Sequence, residues 1–208
     1  MSCPDCHGTT WIPFDDPVRG RSAKRCPCAA LLGVAVVPVE FREEPAGWSP
    51  PPRLEALDRE HWPLGDGAPW VVTLFGGTGT GKSTAATWLW KRAVARLGAP
   101  SAWLALHAEL EEARRGVNEA GERAFIAKCM RAGVVLFDDL ANEVPGTMRE
   151  RLVVEVLGRR HSGRLPTIIT TNLTGDDLWD ARLASRLRSG WALKIDDGID
   201  WRQQKCKV

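Results

Sequence analysis

Apolar runs of strand length alternate with segments of helical periodicity through the second two-thirds of the chain. The strand-length runs are "WVVTLF" (Trp70–Phe75), "SAWLAL" (Ser101–Leu106), "VVLFDDL" (Val134–Leu140), "LPTIITTNL" (Leu165–Leu173) and "WALKID" (191–196). The helical segments are "STAATWLWKRAVARL" (Ser83–Leu97), "AELEEARRG" (Ala108–Gly116), "EAGERAFIAKCMRAG" (Glu119–Gly133) and "WDARLASRLRSG" (Trp179–Gly190). This alternation predicts an α/β domain whose parallel sheet is flanked by helices, at residues 70–208.

A proline-rich segment precedes this domain. Residues 41–69 hold six of the 14 prolines, so they are expected to be mostly irregular, with one short helix around Leu54–His61. We therefore predict three parts, which are an N-terminal module at 1–40, a linker at 41–69 and the α/β domain.

A glycine-rich loop joins the first predicted strand to the first predicted helix. Gly76, four further residues, Gly81, Lys82 and Ser83 fit the Walker A pattern in full. In such a loop the backbone N–H groups surround phosphate oxygens, the lysine reaches the β- and γ-phosphates, and the serine hydroxyl binds Mg²⁺. A helix N-terminus also favours anions, so we predict a nucleotide here. The predicted binding residues are Gly76, Gly77, Thr78, Gly79, Thr80, Gly81, Lys82, Ser83 and Thr84. A glycine-rich turn without a ligand is the alternative.

Two later strands end in polar side chains. Asp138 and Asp139 end an apolar strand, which is the form of a Walker B motif. Asp138 is then expected to hold Mg²⁺, through water, while Asp139 orients or deprotonates the attacking water. Asn172 ends the next strand and is expected to reach the γ-phosphate or that water. A pair of capping aspartates is the alternative for Asp138 and Asp139.

The predicted helix near the end of the chain is basic. It carries Arg182, Arg186 and Arg188 and stops at Gly190. These arginines form either a solvated face with a favourable C-terminal charge, or a group in which one arginine serves the nucleotide of a neighbouring subunit.

Composition limits the classes of function. With 208 residues, of which 44% are hydrophobic, the chain can form one domain with a real core. The formal net charge is only +2, so any contact with nucleic acid must be local. No run of 18 apolar residues and no signal peptide is found, which predicts a cytoplasmic protein without a membrane partner.

Four cysteines near the N-terminus have the spacing of metal ligands. The first pair is C-x2-C and the second is the tighter C-x-C, and two such turns can place four thiolates tetrahedrally around Zn²⁺. The predicted zinc ligands are Cys3, Cys6, Cys26 and Cys28. His7 could substitute for one of them, and two disulfides or loose thiols are the alternatives, although a reducing compartment disfavours disulfides. Cys129 and Cys206 are expected to be plain thiols.

The order of "GGTGTGKS", "VVLFDDL", "TIITTNL" and "RLASRL" resembles the AAA+ ATPases of the DnaC type. These include bacterial and phage helicase loaders and the IstB transposition helpers. The resemblance covers residues 70–202, and "ITTNL" followed by "SRL" is its most specific part. It implies that Arg186 acts on the nucleotide of a neighbouring subunit. Arg160 falls on the arginine that precedes the family's sensor strand, with His161 in place of the usual tyrosine, and Arg202 is a weaker candidate for a second phosphate sensor.

The resemblance implies an ATPase that uses ATP and Mg²⁺, self-associates through its nucleotide interface, and delivers or activates a replicative DNA helicase on single-stranded DNA. Asp139 stands where many members have glutamate, which predicts slow hydrolysis. A handful of residues follow the last predicted strand, so little or no C-terminal lid is expected. The module "CPDCHG…RCPCA" resembles the N-termini of loader-like proteins. An IstB-like helper of a DNA transposase and a zinc-containing nucleotide switch without hydrolysis are the alternatives.

Contacts to DNA are expected on the helices before the Walker B strand, because AAA+ loaders hold single-stranded DNA there. That segment contains Arg114, Arg115 and Lys128, which could contact phosphates. An ordinary solvated helix face is the alternative, since Glu111 pairs with Arg115 at a spacing of i,i+4.

Overall fold

The computed structural model describes residues 11–16, 20–25, 37, 41, 43–65, 67–97, 102–105, 119–140, 148–172 and 181–196. The strands are β1 (Trp11–Asp16), β2 (Gly20–Arg25), β3 (Val71–Phe75), β4 (Ala102–Ala105), β5 (Val135–Leu140), β6 (Thr167–Thr171) and β7 (Trp191–Lys194). The helices are α1 (Pro52–Arg59), α2 (Lys82–Leu97), α3 (Glu119–Arg131), α4 (Met148–Ser162) and α5 (Ala181–Arg188). None of these helices is long and apolar enough to cross a membrane.

Five parallel strands form the main sheet in the order β4-β5-β6-β3-β7. This confirms the predicted α/β architecture with its parallel sheet. The chain leaves β3 through α2, returns to it from one side through β4, β5 and β6, and adds β7 on its other side. The carboxyl ends of β3 and its neighbours are thus the switch point at which α/β sheets bind ligands.

Helices pack on both faces of the sheet, because successive strand residues point to opposite sides. On β6, Ile168 belongs to the cluster that contains α1 and α2, while Ile169 belongs to the cluster that contains α3, α4 and α5. On β5, Leu136 packs in the first of these clusters and Phe137 in the second. The strands therefore read as continuous apolar runs, as expected for a sheet that is covered on both faces.

Part of the segment predicted as a linker packs into this core. Leu54, Leu57 and Trp62 are fully buried against α2. Arg96 of α2 donates one hydrogen bond to the backbone carbonyl of Trp62 at 2.9 Å and forms an ion pair with Asp58 at 2.5 Å. These residues contribute to the folded domain, and the boundaries at residues 40 and 69 remain a prediction.

Three elements were not predicted. The strands β1 and β2 form a separate antiparallel pair with Trp11 opposite Arg25. Helix α4 connects β5 to β6 and supplies buried side chains to the second cluster. The helix predicted at 108–116 lies outside the described residues.

Candidate nucleotide site

The glycine-rich loop lies between the carboxyl end of β3 and the amino end of α2. Gly76, Gly79 and Gly81 have φ angles of 151°, 83° and 85°, which L side chains rarely adopt. A Cβ at Gly76 would also overlap the carbonyl oxygen of Ile195, the residue after β7, whose N–H donates to the Phe75 carbonyl at 2.8 Å. Glycine is therefore required both for the turn and for close contact with the end of β7.

Lys82 begins α2, and its side chain folds back over the loop. The lysine is buried, and its Nζ donates hydrogen bonds to the carbonyls of Gly76, at 3.0 Å, and Gly77. Thr80 Oγ1 donates to the same Gly77 carbonyl at 3.0 Å. The ammonium is thus held beside the backbone of the loop, next to the helix that begins at Lys82, and a helix N-terminus favours anions.

Ser83 and Asp138, the two predicted magnesium ligands, lie together. Burial raises the pKa of Asp138 above its usual value, with a smaller contribution from Asp139. Hydrogen bonds from Thr170 and Ser83 and the charge of Lys82 act in the opposite direction. Hydroxyl and carboxylate oxygens are ligands that Mg²⁺ accepts, and a divalent cation would offset the penalty of the buried carboxylate. The residues present therefore fit the metal.

The side chain of Asp139 is exposed, whereas that of Asp138 is buried. The φ of Asp139 is 62°, and Asn172 Nδ2 donates to Asp139 Oδ1 at 3.2 Å. The structure thus brings Asn172 beside the carboxylate that was predicted to act on water. Both groups lie at the carboxyl edge of the sheet, on the same edge as the glycine-rich loop.

Thr170 of β6 connects the two aspartates, and sequence reasoning missed it. Its Oγ1 donates to Asp138 Oδ1 at 2.7 Å and accepts from the Asp139 N–H at 2.7 Å. The only signal in the sequence is a threonine near the end of a strand that could pair with the acidic strand.

Solved structures share this fold. Domain III of the replication initiator DnaA from Thermotoga maritima is similar over 82% of this chain and 68% of that one, with 17% identity and a TM-score of 0.61. The DnaC helicase loader is similar over 73% of this chain and 95% of that one, with 16% identity and a TM-score of 0.58. The chain has the AAA+ fold.

A third AAA+ structure is DnaA bound to AMPPCP and single-stranded DNA. It is similar over 74% of this chain and 49% of that one, with 15% identity and a TM-score of 0.60, so the chain spans about half of that protein's length. No family model and no curated protein sequence matches the chain.

Arg186, which is predicted to act on the nucleotide of a neighbouring subunit, lies against α4. Its Nη1 donates to the Val154 carbonyl at 3.5 Å, and its guanidinium occupies the space that a Cβ at Gly158 would take. Helix α4 runs from the carboxyl edge of β5 toward the amino edge of β6, and Gly158 is in its second half. The structure therefore does not bring Arg186 to the phosphate loop of its own chain.

Arg160 is fully buried and plays a structural part in the α/β domain. Its guanidinium donates to Thr167 Oγ1 and to the backbone carbonyls of Cys129, Ala132 and Pro166. Burial lowers the pKa of Arg160 to about 10, so the side chain is still a cation at neutral pH. The neighbouring His161 Nε2 lies 2.8 Å from Ser189 Oγ on the loop after α5.

Of the remaining predicted DNA-binding, zinc-binding and phosphate-sensing residues, the structure describes Lys128 alone. Lys128 is exposed on α3. Those that lie outside the described residues are Arg114, Arg115, Arg202, Cys3, Cys6, Cys26 and Cys28. Within the described ranges no three metal-ligating side chains cluster, and Cys129 is a buried thiol.

Proposed function

We propose that this protein is an ATP-binding, slowly ATP-hydrolysing helicase loader that delivers or activates a replicative DNA helicase on single-stranded DNA. The observation that carries the proposal is that Lys82, Asp138 and Asn172 lie at the same edge of the parallel sheet. The DnaC helicase loader has a similar fold. The similar DnaA bound to AMPPCP and single-stranded DNA supports the choice of ATP and of a DNA partner.

In this proposal each residue of the site has its own role in ATP hydrolysis. Lys82 and the N–H groups of the loop would bind the phosphates, while Ser83 and Asp138 would hold Mg²⁺. When bound, Mg²⁺ supplies positive charge to the phosphate oxygens. Asp139 accepts a proton from water or orients it, and Asn172 holds Asp139 Oδ1 in place. Asp139 is one methylene shorter than glutamate, so its carboxylate reaches less far toward the water, which supports slow turnover.

Arg186 completes the site of a neighbouring protomer in this proposal. Charge that develops on the γ-phosphate needs a cation beyond Lys82 and Mg²⁺, and an arginine finger contributes about 10³-fold or more in rate. Arg186 contacts α4 instead of its own phosphate loop, as a residue that serves another subunit should. Self-association through the nucleotide interface would then be required for full activity.

The N-terminal region is proposed to hold one structural zinc ion. The β1–β2 pair sets Trp11 opposite Arg25, and one cysteine pair precedes Trp11 in the sequence while the other begins directly after Arg25. The two cysteine pairs thus flank the paired strands in the sequence, and their spacing is that of zinc ligands, which supports the proposal of a shared ion. We retain residues 1–40 as a zinc-binding module, and Arg114, Arg115 and Lys128 as proposed DNA contacts.

A helicase-dependent ATPase assay tests the central proposal. Wild-type protein should bind a hexameric replicative helicase, and its ATP turnover should rise with helicase, with single-stranded DNA or with its own concentration. Lys82→Ala should abolish turnover and weaken ATP binding, whereas Lys91→Ala, which alters a lysine farther along α2, should retain both. Wild-type-like turnover by Lys82→Ala would contradict the assignment. Stimulation by a transposase instead of a helicase would favour the IstB-like alternative, and binding without turnover would favour a nucleotide switch.

Mixed protomers test the shared site. Arg186→Ala should retain ATP binding and lose stimulated hydrolysis, and a mixture with Lys82→Ala should recover part of it because each variant supplies what the other lacks. Arg159→Ala is a matched control, since Arg159 lies near Arg186 but pairs with Glu155. A mixture without activity would refute the finger in trans. Elemental analysis of the full chain should find about one zinc ion, and no zinc in protein purified without chelators would contradict the zinc site.

A further inference from the structure

The acidic end of β5 contains an irregular pairing with β6. Phe137 pairs with Ile169, whereas Leu140 pairs with Thr171. Two residues of β5, Asp138 and Asp139, therefore face only Thr170 of β6, which is the arrangement of a β-bulge. Bulges change the direction of a side chain, and here the two adjacent carboxylates differ in burial, with Asp138 buried and Asp139 exposed.

The Thr170 hydroxyl acts both as a donor and as an acceptor of hydrogen bonds within this bulge. A hydroxyl group can donate one hydrogen bond and accept two. Thr170 donates to the Asp138 carboxylate and accepts from the backbone N–H of Asp139, each at 2.7 Å. The side chain is only 1% exposed, so water cannot readily replace it.

The backbone at Asp139 needs such a contact. Its φ of 62° lies in the left-handed region, which a residue other than glycine occupies only when its surroundings hold it there. The hydrogen bond from the Asp139 N–H to Thr170 fixes the peptide plane that precedes this angle. Asn172 lies two residues after Thr170, and its Nδ2 donates a hydrogen bond to the Asp139 carboxylate.

We propose that the Thr170 hydroxyl is the positioning group of this site, directing the Asp138 carboxylate toward Ser83 and the Asp139 carboxylate toward Asn172. Thr170 itself touches neither phosphate nor water in this role, so it is a positioning residue. The inference rests on the proposed ATPase function, because it assigns the threonine no separate reaction.

Three substitutions separate the hydroxyl from the packing of the side chain. Thr170→Val keeps the branched shape and removes the hydroxyl, whereas Thr170→Ser keeps the hydroxyl and removes a methyl group. Thr73→Val is the matched control, because Thr73 is also buried in the sheet, on the neighbouring strand β3, and its Oγ1 has no hydrogen-bond partner in the described structure. All three should be made in the full chain, with unfolding temperatures recorded.

Steady-state kinetics give the first measurement. Thr170→Val should lower kcat about 10–100-fold, as loss of a partner that orients a metal ligand typically does, and should raise the Mg²⁺ concentration needed for half-maximal turnover. Its KM for ATP should change much less, because Lys82 and the loop remain intact. Thr170→Ser should restore most of kcat, and Thr73→Val should match wild type.

Hydrogen exchange gives a second measurement that does not depend on activity. The Asp139 amide of the nucleotide-free protein should be protected in wild type and in Thr170→Ser, and should exchange faster in Thr170→Val. Equal kcat in Thr170→Val and wild type, equal losses in the Val and Ser variants, or continued protection in Thr170→Val would each overturn the proposal. Absence of turnover in wild type under every condition would overturn the ATPase function instead, and the exchange measurement would still decide the role of the hydroxyl.

Discussion

Replacing Arg160 by methionine should strongly destabilise the fold, because its guanidinium joins three segments. Nη1 donates to the carbonyls of Cys129 and Ala132, Nη2 to the carbonyl of Pro166 at 2.6 Å, and Nε to Thr167 Oγ1 at 3.0 Å. The first two carbonyls lie at the C-terminal end of α3, where carbonyls lack intrahelical partners and the helix dipole favours a cation. Arg160 therefore caps α3 and fixes it to the start of β6.

The size of the effect follows from the number of acceptors. Three carbonyl oxygens that lose their donor would cost ~3–9 kcal/mol at ~1–3 kcal/mol each. The methionine variant regains part of this free energy of unfolding, because removing a buried charge avoids a desolvation penalty of several kcal/mol. We therefore expect the free energy of unfolding to fall by about 3–5 kcal/mol. For a protein of this size 1 kcal/mol corresponds to about 2–4 °C, so the unfolding temperature should fall by about 6–20 °C.

Thermal unfolding followed by circular dichroism measures this loss, with Arg159→Ala as the matched control. Arg159 is the preceding residue and forms a 2.6 Å ion pair with Glu155, with side-chain exposures of 56% and 41%. Such a pair contributes at most about 1 kcal/mol, so the control should unfold close to wild type. A fall of less than about 2 °C for Arg160→Met, or equal falls for both variants, would refute the role of Arg160 as a cap.

Gly158 and Asp138 offer two further tests. Alanine at Gly158 is favoured in a helix by about 1 kcal/mol, but its Cβ would meet Arg186 Nη1 at 2.8 Å and displace the guanidinium. Gly158→Ala should therefore preserve the unfolding temperature while stimulated ATP turnover falls, and unchanged turnover would contradict the use of Arg186. Because burial raises the pKa of Asp138 in the folded state, its charged form opposes folding at neutral pH. Asp138→Asn should abolish turnover and raise the unfolding temperature of the nucleotide-free protein at pH 7. This gain should vanish as the pH falls through the raised pKa toward 3.8, and a lower unfolding temperature at pH 7 would contradict it.

The glycine-rich loop between β3 and α2 and the acidic strand β5 could be predicted because local sequence determines their backbone. The spacing of glycines specifies the backbone between β3 and α2, and a continuous apolar run specifies a strand covered on both faces. Helix α4 was missed because Val153, Val154, Val156 and Gly158 have weak helix propensity, so packing stabilises the helix more than its local sequence does.

Other parts of the site depend on contacts between distant residues. Thr170 reaches the aspartates only through the register of β5 against β6, across more than 30 positions of sequence, and local patterns do not specify that register. Arg160 looks like a surface residue at a basic helix end, and only the packed carbonyls of α3 explain its burial. The pairing of β1 with β2 likewise arises from contact between strands, since Pro13 interrupts any strand pattern.

If the glycine-rich loop binds a nucleotide as proposed, the contact between Gly76 and Ile195 should make the nucleotide affinity sensitive to mechanical force. β7 is a four-residue edge strand with three exposed side chains, so it should detach at a lower free energy than the centre of the sheet. Because Ile195 supports the first glycine of the phosphate loop, detachment would remove the support that shapes the loop. Thermodynamic coupling is reciprocal. A pull on the chain beyond Ile195 should weaken nucleotide binding, and bound nucleotide should raise the force needed to peel β7 from the sheet.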